Sequence, residues 1–192
     1  MLIAAVPRVL AWIVVFSTAV CCSTNLCSQE WSRFRGANAS GVSGDSELGG
    51  GEITTTWSDT ENLAWKTRLP GKGSSSPVAF DDLVFLTAYS GYGRSLAEPG
   101  NRSELRLHVI CLSIEDGHII WDQQIDPAPE EQDVNQRVAD HGYASPTPCV
   151  DEKHVYASFG PSGVVALTHH GDLAWRRSVG TSTVFRPMRS DR

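Results

Sequence analysis

The polar residues best suited to chemistry lie in one short segment, Asp140-His141-Gly142-Tyr143. A carboxylate beside a histidine can tune the imidazole for proton transfer, so Asp140, His141 and Tyr143 form a candidate loop site. Adjacency in sequence does not fix how the side chains meet in space. A hydrogen bond that merely anchors the loop is the commoner case and explains the same residues. Both interpretations stay open at this point.

Other polar groups fit known sites less well. His169 and His170 suggest a metal, but neighbours in a tight turn point apart and no third ligand is evident, so we interpret them as turn residues. The acidic stretches 45–47 and 126–133 lack the alternating Asp/Asn loop with a closing Glu that binds calcium. No nucleophile elbow and no phosphate-cradling glycine loop is present. The sequence therefore predicts no catalytic residue and no metal ligand.

Composition narrows the class of protein. The chain has 192 residues, of which 41% are hydrophobic and 20% charged, which is typical of one folded domain. The formal net charge is −6 and the sequence has no cluster of Lys and Arg, which argues against nucleic acid as a partner. Cys111 and Cys149 lie in apolar stretches and are expected to be buried separately; their oxidation in an exported chain is the alternative.

Residues 1–28 are predicted to be a signal peptide. Arg8 precedes a short apolar run, 9–16, which is well below the roughly 20 residues of a membrane-spanning helix. We therefore expect export to the periplasm or the extracellular space, with no transmembrane segment after the leader is removed. A lipid anchor on a cysteine is an open alternative, and the candidates are Cys21, Cys22 and Cys27.

Two later segments share one pattern, an apolar run, a turn with glycine and a tryptophan four residues after that glycine. The pairs are Gly117 with Trp121 and Gly171 with Trp175, and the two tryptophans are 54 positions apart. Trp65 stands 56 positions before Trp121. A recurring interval of this size indicates a structural repeat.

Each repeat is predicted to be a blade of four antiparallel strands. Asp116-Gly117 and His170-Gly171 are expected to make two-residue hairpin turns. The fold class is therefore all-β, a partial β-propeller with two full repeats and the outer strands of another. The predicted strand regions are 52–57, 62–69, 76–85, 105–113, 118–123, 145–156, 163–168 and 172–177.

The predicted domain boundaries follow from these elements. After the signal peptide come a loosely structured lead-in, 29–51, whose aromatic residues pack on the body, the repeats, 52–180, and an irregular tail, 181–192. Two long connections, 89–104 and 126–142, are expected at one end of the blades. Long loops on one face often bind a protein or a small-molecule ligand, although a functionally silent surface is an equal alternative.

The segment Cys111 to Trp121 resembles the pyrroloquinoline-quinone (PQQ) repeat, Ala-Leu-Asp-x-x-Thr-Gly-x-x-x-Trp, at Leu112, Gly117 and Trp121. Ala166-Leu167 and Gly171 to Trp175 match it again. The chain is thus similar to the PQQ-like propeller family, which includes the lipoprotein of the outer-membrane β-barrel assembly machinery. The resemblance implies structural roles for Trp65, Trp121 and Trp175, whose indoles pack between blades.

The resemblance leaves two functions to compare. Quinoprotein dehydrogenases of this family carry a vicinal disulfide, a calcium site and a catalytic Asp, and here the only adjacent pair, Cys21-Cys22, lies in the leader region. We therefore expect an exported binding or scaffolding module rather than an enzyme, and we expect no cofactor. The alternative is a periplasmic oxidoreductase of alcohols or sugars with PQQ and calcium. Two blades do not close a ring, so we also expect a truncated propeller or one that self-associates.

Overall fold

A computed structural model describes residues 31–36, 39–41, 54–131 and 133–180, and almost all regular structure in these ranges is β. The strands form two antiparallel four-stranded sheets, in the orders β1-β2-β3-β4 and β5-β6-β7-β8. Within the described ranges no helix is long and apolar enough to cross a membrane. The strands are β1 Val78–Phe80, β2 Leu83–Ser90, β3 Arg106–Ser113, β4 Ile119–Ile125, β5 Cys149–Val150, β6 His154–Ser158, β7 Val164–Thr168 and β8 Leu173–Arg177. One α-helix, α1, spans Gln136–His141, and two short 3-10 helices span Arg102–Glu104 and Gly160–Ser162.

The two sheets, which we call the first and second blade, pack face to face around one apolar core. Side chains alternate along each strand, so Val109 and Cys111 of β3 enter this core while Ile110 belongs to a small cluster on the opposite face. The second blade contributes Val155 and Leu167 to the shared core. This packing confirms the predicted pair of propeller blades.

Both blades use the same register, with one row of residues crossing all four strands. In the first blade this row is Val78, Phe85, Cys111 and Trp121, and in the second blade it is Cys149, Tyr156, Ala166 and Trp175. The pairing of the last two strands shifts next to the tryptophan in each blade, at Cys111/Leu112 and at Ala166/Leu167. A bulge at the same place locally twists the outer strand in both blades.

The long connections meet at one end of the blades. The Arg102 guanidinium, in the β2–β3 connection, lies 3.1 Å from the Asp133 carboxylate and 3.1 Å from the Pro129 carbonyl oxygen, both in the β4–β5 connection. Glu131 of the second connection is buried, and its carboxylate accepts a 2.6 Å hydrogen bond from the Ser162 hydroxyl. These bonds order the long-loop end of the molecule.

Several predicted elements were wrong in detail. Residues 54–57 and 62–69 are not strands, because no neighbouring strand in the described chain offers them a hydrogen-bonded ladder. Residues 52 and 53 lie outside the described ranges. The turns before the tryptophans are longer than two residues, since β3 ends at Ser113 and β4 begins at Ile119. Gly117 has a φ of 72° and Gly171 one of 92°, whereas Asp116 and His170 keep negative φ values.

The segment around Trp31 is attached to the innermost strands of both blades. The Trp31 carbonyl oxygen accepts a hydrogen bond from the Ala79 amide at 3.0 Å, and that of Ser32 accepts one from the Val150 amide at 2.9 Å. Trp31 is half-buried, but Phe34 is 58% exposed, so only one of these two aromatic residues packs as expected.

Candidate functional site

Each glycine of the repeat motif lies beneath a tryptophan from the preceding repeat. A Cβ atom at Gly117 would lie 2.3 Å from Cε3 of Trp65, and one at Gly171 would lie 3.0 Å from Cδ2 of Trp121. Both glycines also adopt a positive φ, a backbone conformation that is strained for residues with a side chain. Each turn therefore requires glycine for two reasons, the positive φ of the backbone and the close approach of the indole.

The indole N–H groups complete these contacts. Trp65 Nε1 donates to the Ile114 carbonyl oxygen at 2.9 Å, and Trp121 Nε1 donates to the His169 carbonyl oxygen at 2.8 Å. The Trp121 ring also lies 5.9 Å from that of Phe85. Each tryptophan thus joins one repeat to the turn of the next through apolar contact and one directed hydrogen bond.

Trp175 differs from the other two tryptophans of the motif. Its side chain is 37% exposed, and its ring contact within the described chain is Tyr156, with centroids 6.0 Å apart. Leu173, on the same outer strand, is 51% exposed. We call the face formed by Cys149, Tyr156 and Trp175 the open flank. In the first blade the corresponding face is covered by the second blade.

The residues of the candidate loop site differ in exposure. Asp140 and His141 are exposed on α1, whereas Tyr143 is buried, with its ring 5.3 Å from that of Tyr89. Burial raises the pKa of the Tyr143 phenol above its usual range. The His141 carbonyl oxygen accepts hydrogen bonds from the hydroxyls of Ser74 and Ser145. These two hydrogen bonds anchor the loop at His141.

The adjacent histidines also have separate surroundings. His169 Nε2 lies 2.9 Å from the Asp151 carbonyl oxygen, and its ring packs 5.2 Å from that of Phe80 in the first blade. His170 is exposed. Across the described part of the chain, no three His, Cys, Asp or Glu side chains are grouped so that they could hold a metal ion.

A hydrogen-bonded chain of three side chains was not anticipated from the sequence. Ser90 Oγ lies 2.8 Å from His108 Nε2, and His108 Nδ1 lies 2.8 Å from an Asp122 carboxylate oxygen. These residues come from β2, β3 and β4, and no local motif links them. Predicting their contact would have required the register of these three antiparallel strands.

The two cysteines of the blades differ in exposure, which corrects the expectation that both are buried. Cys111 is fully buried and Cys149 is exposed. Burial raises the pKa of the Cys111 thiol to about 12. At pH 8 in dilute protein, we expect iodoacetamide to alkylate Cys149 and to spare Cys111 until the protein is unfolded, because the thiolate is the reacting species. Peptide mass mapping measures both sites, and early alkylation of Cys111 would contradict the packing of β3.

Comparison with known proteins identifies the repeat. The family described as outer membrane protein assembly factor BamB, a PQQ-repeat family, matches residues 42–189. No curated protein matches the chain. The match covers most of the chain and agrees with two four-stranded blades of one register. The chain therefore belongs to this family of PQQ-like β-propeller repeat proteins.

Proposed function

We propose that the chain is an exported binding or scaffolding module and that its open flank is a protein-binding surface. The observation that carries the proposal is the position of Trp175. The same row of the first blade, ending at Trp121, is covered by the second blade, whereas Cys149 and Trp175, at the two ends of the corresponding row in the second blade, are exposed. A sheet face with exposed apolar side chains is suited to packing against another sheet.

The partner that we propose for the open flank is a second copy of the chain. The open flank is an apolar face centred on Trp175. Two-fold pairing would bury this face against the same residues of the other copy. Membership in a family described by an outer membrane protein assembly factor supports a role in protein binding rather than in quinone chemistry. Within the described residues the cysteines are free and none is adjacent to another.

Sedimentation velocity over a range of protein concentrations tests this proposal. We expect the wild type to form a dimer that dissociates on dilution. Trp175→Ala should weaken dimerisation by roughly 30-fold or more, because truncating a central interface tryptophan costs about 2 kcal/mol or more. The control is Trp57→Ala, since Trp57 is 73% exposed outside the blades. Monomer at all concentrations, or equal weakening by both variants, would refute the proposed surface.

Export is proposed from the leader and is consistent with the family. We expect the protein recovered after secretion to lack residues 1–28, which lie outside the described ranges, because Arg8 followed by a short apolar run is typical of a cleaved signal peptide. Intact mass measures the cleavage directly. An exported product that keeps Met1 would contradict it, and a diacylglycerol on Cys21, Cys22 or Cys27 would establish the lipid-anchored alternative.

A further inference from the structure

The hydrogen-bonded side chains of Ser90, His108 and Asp122 have the arrangement of donors and acceptors needed to activate a hydroxyl. The Asp122 carboxylate can only accept hydrogen bonds when ionised, so Nδ1 of His108 carries the proton in that contact. In a neutral imidazole Nε2 is then the acceptor, and it faces the Ser90 hydroxyl. A serine hydrogen-bonded to a histidine base that a carboxylate orients is the arrangement used for nucleophilic catalysis.

The three groups differ in exposure in a way that suits this chemistry. His108 is only 2% exposed, so its ring is held between two partners and screened from bulk water. Ser90 and Asp122 are half-buried. A Cβ at Gly71 would lie 3.3 Å from the Cβ of Ser90, and Gly71 lines an open cleft. Asp122 also lines this cleft, so the three hydrogen-bonded residues border a space that a substrate can enter.

This cleft is basic although the chain as a whole is acidic. It has a volume of about 510 Å³, and its lining includes Arg68, Lys72 and Arg94. The Lys72 ammonium donates a 2.7 Å hydrogen bond to the Arg94 carbonyl oxygen, which holds the lysine at the cleft. Asp122 is the one acidic residue in the lining, and its carboxylate is bound to His108. The cleft is thus suited to a ligand with a negative charge.

The second blade, whose strands are shorter, lacks this hydrogen-bonded arrangement. Asp122 pairs with Ile110 and Arg176 pairs with Val165, so Arg176 occupies the position of Asp122. By the same count Gly163 occupies the position of His108. The second blade therefore forms its sheet without the histidine and the carboxylate.

We propose that Ser90, His108 and Asp122 form a hydrolytic site for carboxylic esters whose acyl group carries a negative charge. Ser90 Oγ attacks the ester carbonyl carbon while its proton passes to His108 Nε2. The C–O bond to the leaving alcohol then breaks, and the alcohol oxygen takes that proton. Water, deprotonated by His108, attacks the acyl-Ser90 ester, which releases the carboxylic acid and restores the serine hydroxyl. Asp122 is a positioning residue that keeps the imidazole in the required tautomer.

The first test is covalent labelling of the wild-type chain with a fluorophosphonate. Attack by an activated serine forms an O–P bond and expels fluoride, so we expect one adduct by intact mass and its location at Ser90 by peptide mapping. Ser90→Ala should abolish the adduct. The control is Ser95→Ala, since Ser95 is an exposed serine in the adjacent connection, and it should label as the wild type does. A folded wild type that acquires no label at Ser90 would overturn the proposal.

Hydrolysis of two 4-nitrophenyl esters tests activity and charge preference. The hydrogen succinate has an anionic acyl group, and the butyrate is its neutral counterpart. We expect Ser90→Ala to lower kcat for the succinate ester by about 1,000-fold or more. Arg94→Ala should raise KM for the succinate ester by roughly tenfold and leave the butyrate ester unaffected, because one charge-assisted contact is lost. Turnover that survives in Ser90→Ala would overturn the proposal.

Asp122→Asn separates a positioning role from a structural one. If Asp122 fixes the tautomer of His108, kcat should fall by about 100- to 10,000-fold while KM and the thermal midpoint stay close to the wild type. Asp122→Glu should recover part of the lost kcat. If Asp122→Asn lowers the thermal midpoint but keeps kcat, the three residues only stabilise the blade. That result would refute the hydrolytic site.

Discussion

Trp121→Ala is expected to lower the free energy of unfolding by about 3 kcal/mol, because removing a packed tryptophan leaves a cavity and an unpaired carbonyl. The indole covers Gly171, contacts the Phe85 ring at 5.9 Å and donates to the His169 carbonyl oxygen at 2.8 Å. The contacts with Gly171 and His169 connect the first blade to the second, and the contact with Phe85 lies within the first blade. Urea unfolding followed by circular dichroism measures the loss.

Trp175→Ala is the matched control, because it removes the same residue of the same motif in the second blade. Trp175 is 37% exposed and covers no glycine turn in the described chain. In dilute, monomeric protein its removal should cost less than about 1 kcal/mol. Equal losses in the two variants would mean that the tryptophan stabilises its own blade rather than the junction between repeats.

Gly117→Ala is expected to destabilise the protein by about 2–4 kcal/mol. The φ of 72° is unfavourable for alanine, and the added methyl would meet Trp65 Cε3 at 2.3 Å and Thr67 Oγ1 at 2.8 Å. The backbone and packing costs are each roughly 1–2 kcal/mol. The Thr67 hydroxyl also donates to the Gly117 carbonyl oxygen at 2.6 Å, so segment 63–69 should loosen from the first blade. Urea unfolding measures the total.

Gly160→Ala controls for the backbone part of this effect. Gly160 has a φ of 57°, and a Cβ atom there meets nothing within 4 Å. Its substitution should therefore cost only about 1 kcal/mol, from conformation alone. The difference between the two variants isolates the contact with Trp65. If the two variants lose the same stability, the indole yields to the methyl and the proposed close packing at Gly117 is wrong.

The sequence predicted the blades because their signals are local. Alternating apolar residues mark each strand, and a glycine four residues before a tryptophan marks each outer turn. Segment 62–69 shows the limit of this approach. It has the composition of a strand, but a strand requires a hydrogen-bonded neighbour, and the described chain provides none along this segment. Its Trp65 instead packs on Gly117.

The polar sites were harder to predict because they depend on contacts between distant residues. Asp140, His141 and Tyr143 are neighbours in sequence, yet the tyrosine ring lies in the core while the other two are exposed on α1. Ser90 and His108 are 18 positions apart and meet across two strands. A one-residue error in register would send their side chains to opposite faces. Sequence patterns place strands more readily than they fix such a register.

Hydrogen–deuterium exchange at two protein concentrations tests most directly the claim that the open flank binds a second copy. At the higher concentration we expect slower amide exchange in 149–156 and 164–177, which carry Tyr156 and Trp175, with no change in β2 and β3 of the first blade. Trp175→Ala should remove the concentration dependence. Exchange that is independent of concentration throughout, or slowed only in the first blade, would contradict the proposed binding surface.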